Sequence, residues 1–235
     1  MSMIKLQEIR EAFLHMLFPH VCAGCGTDII SSQNIICISC LHAMPETQFQ
    51  FFQTNPVEKG FWGRINLQAA TAQYYFTKES LMQILMHELK YKGNKSLGIY
   101  LGRLMGEQII QSERFTGIEA LIPLPLYPSR ERKRGYNQSE LLCRGMSDVM
   151  MIPVLNDVIV RNKFTDSQTK KGRIERWKNM EGKFEIFNAA AISNRHVLLV
   201  DDVITTGATM EACGTELLNV PGVSLSLASL CYSSH

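Results

Sequence analysis

The residues best suited to binding chemistry lie at 201–209, with the sequence Asp-Asp-Val-Ile-Thr-Thr-Gly-Ala-Thr. The apolar run at 197–200 before them predicts a buried parallel strand, and 208–218 after them predicts a helix. A strand-to-helix turn presents free backbone N–H groups and the positive end of the helix dipole, which together favour a phosphate. Threonine hydroxyls add donors, and Gly207 allows the backbone to approach an anion closely.

The acid pair Asp201–Asp202 beside this turn supplies acceptors for sugar hydroxyls, so the stretch suits a ribose 5-phosphate. Taken separately, the acid pair could be an ordinary helix start, and the threonine-rich stretch could be an ordinary strand-to-helix turn without a ligand. In this order the string closely resembles the 5-phosphoribosyl 1-pyrophosphate (PRPP) signature of type I phosphoribosyltransferases. That resemblance implies that the two aspartates hold the ribose hydroxyls. It also implies that the 5-phosphate is held by Thr205, Thr206, Gly207, Ala208 and Thr209.

Two Cys-x-x-Cys pairs, Cys22/Cys25 and Cys37/Cys40, are separated by eleven residues. This spacing can place four thiolates around one Zn²⁺ in a closed, structural site. A redox pair or buried free thiols are the alternatives, and the doubled motif disfavours both. About 25 residues cannot bury a core of their own, so zinc would supply the folding free energy, about 10–16 kcal/mol in finger peptides.

The whole chain has 235 residues, 46% of them hydrophobic and 20% charged, with a net charge of +2. This length allows one α/β domain and a small appendage, and the net charge does not itself imply a nucleic-acid partner. No apolar run reaches the roughly 20 residues of a membrane span. The N-terminus lacks a signal-peptide core, and the cysteines are spaced for metal, so we expect a cytoplasmic protein.

We expect three regions along the chain. Residues 1–45 hold an N-terminal helix, at 4–18, and the four-cysteine zinc module; 46–66 form a linker; 67–235 form the phosphoribosyltransferase-like domain. In that domain, strands are expected at 68–76, from 120, at 158–161, 183–187 and 224–231, and helices at 80–91, 97–111 and from about 138. Aromatic residues of the linker (Phe49, Phe51, Phe52, Phe61 and Trp62) could stack on bases or cover the junction between the modules.

A cationic run at 130–134 follows the strand that starts at 120 and the proline-stiffened loop after it, and leads into Gly-Tyr-Asn-Gln. A solvated charge run is the default interpretation. Its place after a strand favours phosphate binding, for which arginine is well suited.

Together, the four-cysteine module, Pro-Leu-Pro-Leu at 123–126, Arg-Gly-Tyr-Asn-Gln at 134–138 and the 201–209 string are similar to the ComF family. The resemblance implies an α/β fold, with a type I phosphoribosyltransferase-like, parallel-rich sheet flanked by helices and a small zinc-ribbon module. It also implies a role in natural competence, the import of single-stranded DNA. A pyrophosphate loop is implied at Leu124, Pro125 and Leu126, with Arg134 as a further phosphate ligand, although prolines supply no N–H donors.

The polar segment 162–183 contains Gln168, Arg173, Arg176 and Asn179, which follow the family's Gln…Arg-x-x-Asn pattern. The resemblance implies a mobile hood that closes over PRPP and excludes water. A solvated excursion between two strands is the alternative.

Three hypotheses about function follow. The first is a phosphoribosyltransferase that uses PRPP and Mg²⁺ with an unidentified acceptor, for which the sequence identifies no catalytic acid or base. The second is a non-catalytic PRPP- or nucleotide-responsive protein that binds single-stranded DNA during uptake. The third is a regulator that reads PRPP through an inactive fold and whose zinc module docks a protein partner. Single-stranded DNA and proteins of the DNA-uptake machinery are the macromolecular partners that these hypotheses allow.

Overall fold

The computed structural model describes residues 20–28, 34–161 and 184–233. The helix expected at 4–18 and the hood residues Gln168, Arg173, Arg176 and Asn179 lie outside the described residues. Within the described ranges, no helix is long and apolar enough to cross a membrane.

The strands are β1 (Ala70–Tyr75), β2 (Ala120–Pro123), β3 (Ile159–Arg161), β4 (Phe184–Ile186), β5 (His196–Ile204) and β6 (Ser224–Tyr232). Four of them form one parallel sheet in the order β1-β6-β5-β2. The other two, β3 and β4, pair antiparallel, so the two ends of the segment expected to form the hood are joined.

The helices are α1 (Ile38–His42), α2 (Pro56–Phe61), α3 (Leu81–Tyr91), α4 (Lys95–Ile110), α5 (Pro128–Arg134), α6 (Gln138–Met150) and α7 (Ala208–Leu218). Short 3₁₀ turns occur at Phe49–Phe51, Glu113–Phe115 and Ala189–Ala191. This parallel sheet with flanking helices and an N-terminal four-cysteine cluster confirms the expected fold class.

Alternate residues of β5 pack into two cores, one on each face of the sheet. Leu198 and Val200 belong to the core that includes α3, α4 and α6 residues, whereas Val197 and Leu199 belong to the core that includes α2 and α7 residues. All four are fully buried. A central parallel strand covered on both faces needs a continuous apolar run, which explains its sequence.

The segment 46–66, expected to be a linker, forms a 3₁₀ turn and helix α2 that are fastened to the sheet. The Asn55 carboxamide begins α2 by accepting from Val57 N and Glu58 N, and donates to Ala70 O at 2.8 Å. Gln50 and Asn55 are almost fully buried, and each has hydrogen-bond partners. The polar composition therefore reflects buried, satisfied groups, while the proposed domain boundaries themselves stay a prediction.

The cationic run at 130–134 lies within a helix rather than in an extended loop. Pro128 occupies the first turn of α5, where its missing N–H costs no hydrogen bond. Arg130, Arg132 and Lys133 are exposed on it.

Candidate functional site

The acid pair lies within β5, which runs four residues beyond the end of the apolar run at 197–200. Asp201 and Val203 still pair with Ser229 and Cys231 of β6, so the strand ends at Ile204. Helix α7 begins at Ala208, as expected, and Gly207 before it has a φ of 74°. The two carboxylates and the turn therefore lie together at the carboxyl end of the sheet, where ligands of open α/β sheets bind.

Asp201 is held by two donors. Its Oδ1 accepts from the Ser139 hydroxyl at 3.2 Å and from the backbone N–H of Asp202 at 2.7 Å. Burial, together with the negative charge of Asp202, raises the pKa of Asp201 to about 7. Ser139 lies in the first turn of α6, so this hydrogen bond joins α6 to β5.

Asp202 forms an ion pair with Lys90, whose Nζ lies 2.9 Å from its Oδ2. Lys90 lies in the last turn of α3, where a cation interacts favourably with the helix dipole, and this position alone does not indicate the contact with Asp202. Its neighbour Lys92 pairs with Glu88 in the same helix at 2.7 Å. Nothing in the neighbouring sequence indicates which of the two lysines pairs with Asp202. The placement of α3 beside β5 decides it.

The predicted phosphate turn is braced by residues of 56–66. Arg64 donates to the Thr206 carbonyl at 3.1 Å and forms an ion pair with Glu211 in the first turn of α7. A Cβ added at Gly207 would lie 2.7 Å from the ring of Phe61. Because Arg64 neutralises Glu211, the N-terminus of α7 keeps its attraction for an anion.

The predicted pyrophosphate loop is hydrogen-bonded to β5 and to the start of α6. Leu124 donates its N–H to Val200 O at 2.8 Å, and its own carbonyl accepts from the Asn137 side chain at 3.0 Å. Since Pro125 has no N–H, Leu126 is the member of this loop whose N–H is left to meet a ligand.

The Arg-Gly-Tyr-Asn-Gln segment joins neighbouring elements to one another. The Tyr136 hydroxyl donates to the Leu89 carbonyl in α3, and Asn137 caps the start of α6. Arg134 donates to Gln138 at 2.6 Å, and its guanidinium lies 5.7 Å from the Tyr91 ring centroid. These contacts position α3, the proline loop and α6, a role that the sequence reading of a phosphate-binding run did not anticipate.

Gln138 is the residue of this segment that points most clearly to a ligand. It is 1% exposed, and its Nε2 has no hydrogen-bond partner among the described residues. A buried amide donor without a partner costs about 1–3 kcal/mol, so a ligand or water is expected beside it.

The two Cys-x-x-Cys pairs come together in one cluster. Their sulfur atoms all lie within 4.8 Å of one another: Cys22, Cys25, Cys37 and Cys40. The Sγ atoms of Cys25 and Cys37 are 3.7 Å apart. A tetrahedral ion with Zn–S bonds of about 2.3 Å holds its sulfurs about 3.8 Å apart, so the cluster fits zinc in size.

Hydrogen bonds to Cys22 and Cys25 favour the thiolate forms of these two residues, whereas burial raises the pKa of the Cys40 thiol. Cys22 Sγ accepts from the N–H groups of Cys37 at 3.2 Å and Gly24 at 3.4 Å. The pKa of Cys25 is lowered to about 6, chiefly by hydrogen bonding with Thr27, whose hydroxyl lies 3.1 Å away. Since metal ligands must be deprotonated, these contacts prepare the cluster for a cation.

Competence protein F of Haemophilus influenzae is 34% identical over 146 residues, covering 60% of this chain and 63% of that protein. The DNA utilization protein YhgH of Escherichia coli O157:H7 is 29% identical over 153 residues, covering 64% of this chain and 66% of that protein. The matched region thus spans slightly less than two thirds of these relatives. The resemblance to the ComF family is confirmed.

No protein-family model matches the sequence. Among solved structures, the allosteric regulatory enzyme of purine biosynthesis matches with 14% identity and a TM-score of 0.42, over 61% of this chain and 30% of that one.

Proposed function

We propose that this homologue of the ComF-type competence and DNA utilization proteins binds PRPP with Mg²⁺ at the carboxyl end of β5. The observation that carries the proposal is the junction of Asp201 and Asp202 with the braced turn that opens α7. The carboxylates suit ribose hydroxyls, and the turn suits a 5-phosphate.

In this site, Asp201 and Asp202 accept the ribose hydroxyls, and Thr205–Thr209 donate to the 5-phosphate. Asp202 is paired with Lys90, and its oxygens have room for further donors because a carboxylate offers about four acceptor positions. Gln138, Leu126 and Arg134 are the donors for the pyrophosphate end. Carboxylates are ligands that Mg²⁺ prefers, and Mg²⁺, when bound, would neutralise charge on the leaving pyrophosphate.

Transfer of the ribosyl group from PRPP to an acceptor would need few protein groups beyond those that bind PRPP. Ribosyl transfer passes through a cationic sugar, which positioning and the charge of the carboxylates favour. The hood residues Gln168, Arg173, Arg176 and Asn179 would exclude water on closure. On this proposal the chain is a phosphoribosyltransferase with an unidentified acceptor, a cytoplasmic protein whose zinc is structural.

A calorimetric titration with Mg²⁺-PRPP tests the proposed site. The double variant Asp201→Asn with Asp202→Asn removes the negative charges that strengthen the hydrogen bonds from the ribose hydroxyls. The affinity for PRPP should therefore fall about a hundredfold or more. Asp157→Asn, an exposed aspartate on another loop, is the matched control. Unchanged affinity in a folded double variant would show that PRPP does not bind here.

A second candidate function is binding of single-stranded DNA, and among the relatives one is named a DNA utilization protein and another a competence protein. The supporting observation is the exposed cationic side of α5 beside Tyr91, which is 65% exposed and lies under the Arg134 guanidinium. Such a surface combines phosphate attraction with a stacking platform.

Oligonucleotide titrations at several salt concentrations separate the two functions. Steep salt dependence, reduced in an Arg130→Ala/Arg132→Ala variant, would support DNA binding. Pyrophosphate release on adding candidate bases would support transfer, while tight PRPP binding without any oligonucleotide binding would count against the second function.

A further inference from the structure

A separate pocket lies between residues 53–69 and Arg114. Its volume is about 530 Å³, within the range of small-molecule sites, and its wall includes Phe61, Trp62, Asn66 and Gln68. No residue of the proposed PRPP turn lines it. The two places share one side chain, because Phe61 also packs under Gly207.

The aromatic wall of this pocket is incompletely covered. Phe61 is 2% exposed at the end of α2, whereas Trp62, the next residue, is 60% exposed. An exposed indole beside a cavity offers a broad, rigid face on which a planar ring can stack.

The charged groups of the pocket are already satisfied. Arg114 forms an ion pair with Glu58 and donates to the Phe52 carbonyl at 2.7 Å. The Glu58 carboxylate also accepts from Ala70 N at 3.1 Å and Thr54 N at 2.6 Å. The pocket therefore presents no unpaired charge from this pair to a phosphate or an amine.

What remains is a set of neutral donors and acceptors. The side-chain amides on the wall are exposed, and none has a hydrogen-bond partner within the described part of the chain: Gln53, Asn66 and Gln68. A carboxamide both donates and accepts, so three of them can pair with a flat ligand that has an edge of mixed donors and acceptors.

We propose that this pocket binds a nucleobase, stacked on Trp62 and hydrogen-bonded along its edge by the amides of Gln53, Asn66 and Gln68. Stacking with edge recognition is the way proteins hold an unpaired base. The base belongs either to a free nucleoside or to a single-stranded oligonucleotide, since both present the same ring.

The test uses the full chain with Trp177→Phe, which leaves Trp62 as the remaining one of the two tryptophans in the sequence. Adenosine, cytidine and thymidine should each quench the Trp62 fluorescence saturably, whereas ribose should not. Nucleosides carry no phosphate, so this result does not depend on the PRPP site.

Matched variants then identify the contacts by calorimetry. Trp62→Ala should weaken nucleoside binding about 5- to 100-fold and Trp62→Phe much less, with Mg²⁺-PRPP affinity unchanged in both. Gln68→Ala should weaken the binding of the different nucleosides by different factors, because their bases present different donors and acceptors along the edge. If a short oligonucleotide binds more tightly than a nucleoside, the bound base belongs to a nucleic-acid strand. If the two bind equally, the ligand is a free nucleoside.

Three results would overturn the proposal. They are an absence of quenching at millimolar nucleoside, equal quenching by phenol, and nucleoside affinity that is unchanged in Trp62→Ala. Any of these could occur while PRPP binds normally, so failure here and failure of the proposed function are distinguishable.

Discussion

Asp201 and Asp202 are adjacent in sequence but have different electrostatic surroundings. Asp202 is paired with Lys90 at 2.9 Å, whereas within the described part of the chain Asp201 accepts from two neutral donors, Ser139 and a backbone N–H. Burial therefore raises the pKa of Asp201, and the charge of Asp202 raises it further. Two adjacent carboxylates at a ligand site therefore lower the stability of the protein when no ligand is bound.

Replacing Asp201 with Asn should reveal this cost as a pH-dependent gain in stability. The folded pKa of about 7 lies above the ordinary value of 3.8, so the wild type loses stability as pH rises between these values. The amide oxygen of Asn can keep both hydrogen bonds without the charge. After allowance for solvent screening at this half-buried position, we expect a gain of about 1–2 kcal/mol at pH 8 and none near pH 3.5.

Thermal unfolding at both pH values measures the effect, which should be a rise of about 2–8 °C at pH 8. Asp157→Asn should show no such difference between the two pH values. If the stability of Asp201→Asn differed from that of the wild type by the same amount at both pH values, Asp201 would not be the titrating group.

At the scale of elements, the turn that opens α7 depends on the end of α2. Phe61 packs directly under Gly207, and Arg64 connects the same region to Thr206 and Glu211. The segment 46–66 is thus part of the support for the predicted phosphate site.

Gly207→Ala should damage this turn in two ways. The left-handed φ of 74° costs an L-residue about 1–2 kcal/mol, and the added Cβ would lie 2.7 Å from the buried Phe61 ring. Either the ring or the turn must move. We therefore expect about 2–3 kcal/mol of destabilisation and PRPP affinity at least tenfold lower, measured by denaturant unfolding and calorimetry.

Gly117→Ala is the matched control, because its φ is 73° but the nearest atom to its new Cβ lies 4.0 Å away. It should show the backbone cost without loss of PRPP affinity. Equal effects of the two substitutions on affinity would contradict the role assigned to Phe61.

At the scale of the whole molecule, the four-cysteine cluster and the sheet domain share a core. Cys22, Cys40 and Met44 are buried in the same hydrophobic cluster as Met82 and Met86 of α3. A Cβ at Gly24 would lie 2.6 Å from Leu81 at the start of α3. The same helix carries Lys90 at its other end, so the metal module and the ligand site are joined by α3.

Cys22→Ser with Cys25→Ser should remove about one zinc per chain and lower the melting temperature of the whole protein. The cysteine sulfurs are the metal ligands, so their replacement removes the ion. Without the ion the module unfolds, and its packing against α3 is lost. Metal analysis and calorimetric unfolding measure the two effects, with Ser39→Ala in the second knuckle as the control.

Zinc absent from the wild type would refute the metal assignment. Two separate unfolding transitions in the wild type, with only the smaller one lost in the variant, would contradict a shared core.

Much of the fold could be predicted because its signals are local. The apolar runs of β5 and β6, the cap and length of α3 and the start of α7 follow from neighbouring residues, and each agrees with the structure to within a few residues. The packing of the 46–66 segment on the sheet could not be predicted, because buried, hydrogen-bonded Gln50 and Asn55 give it the polar composition of a linker.

The sequence by itself determined the chemistry that the site offers: two acids before a threonine-rich turn, and four cysteines at metal spacing. It did so because these groups lie close together along the chain. Only the tertiary structure decided that Lys90 pairs with Asp202, that Ser139 holds Asp201, and that Phe61 supports Gly207. Those contacts depend on strand order and helix placement, which are set by packing between distant segments and leave no mark on the residues nearby.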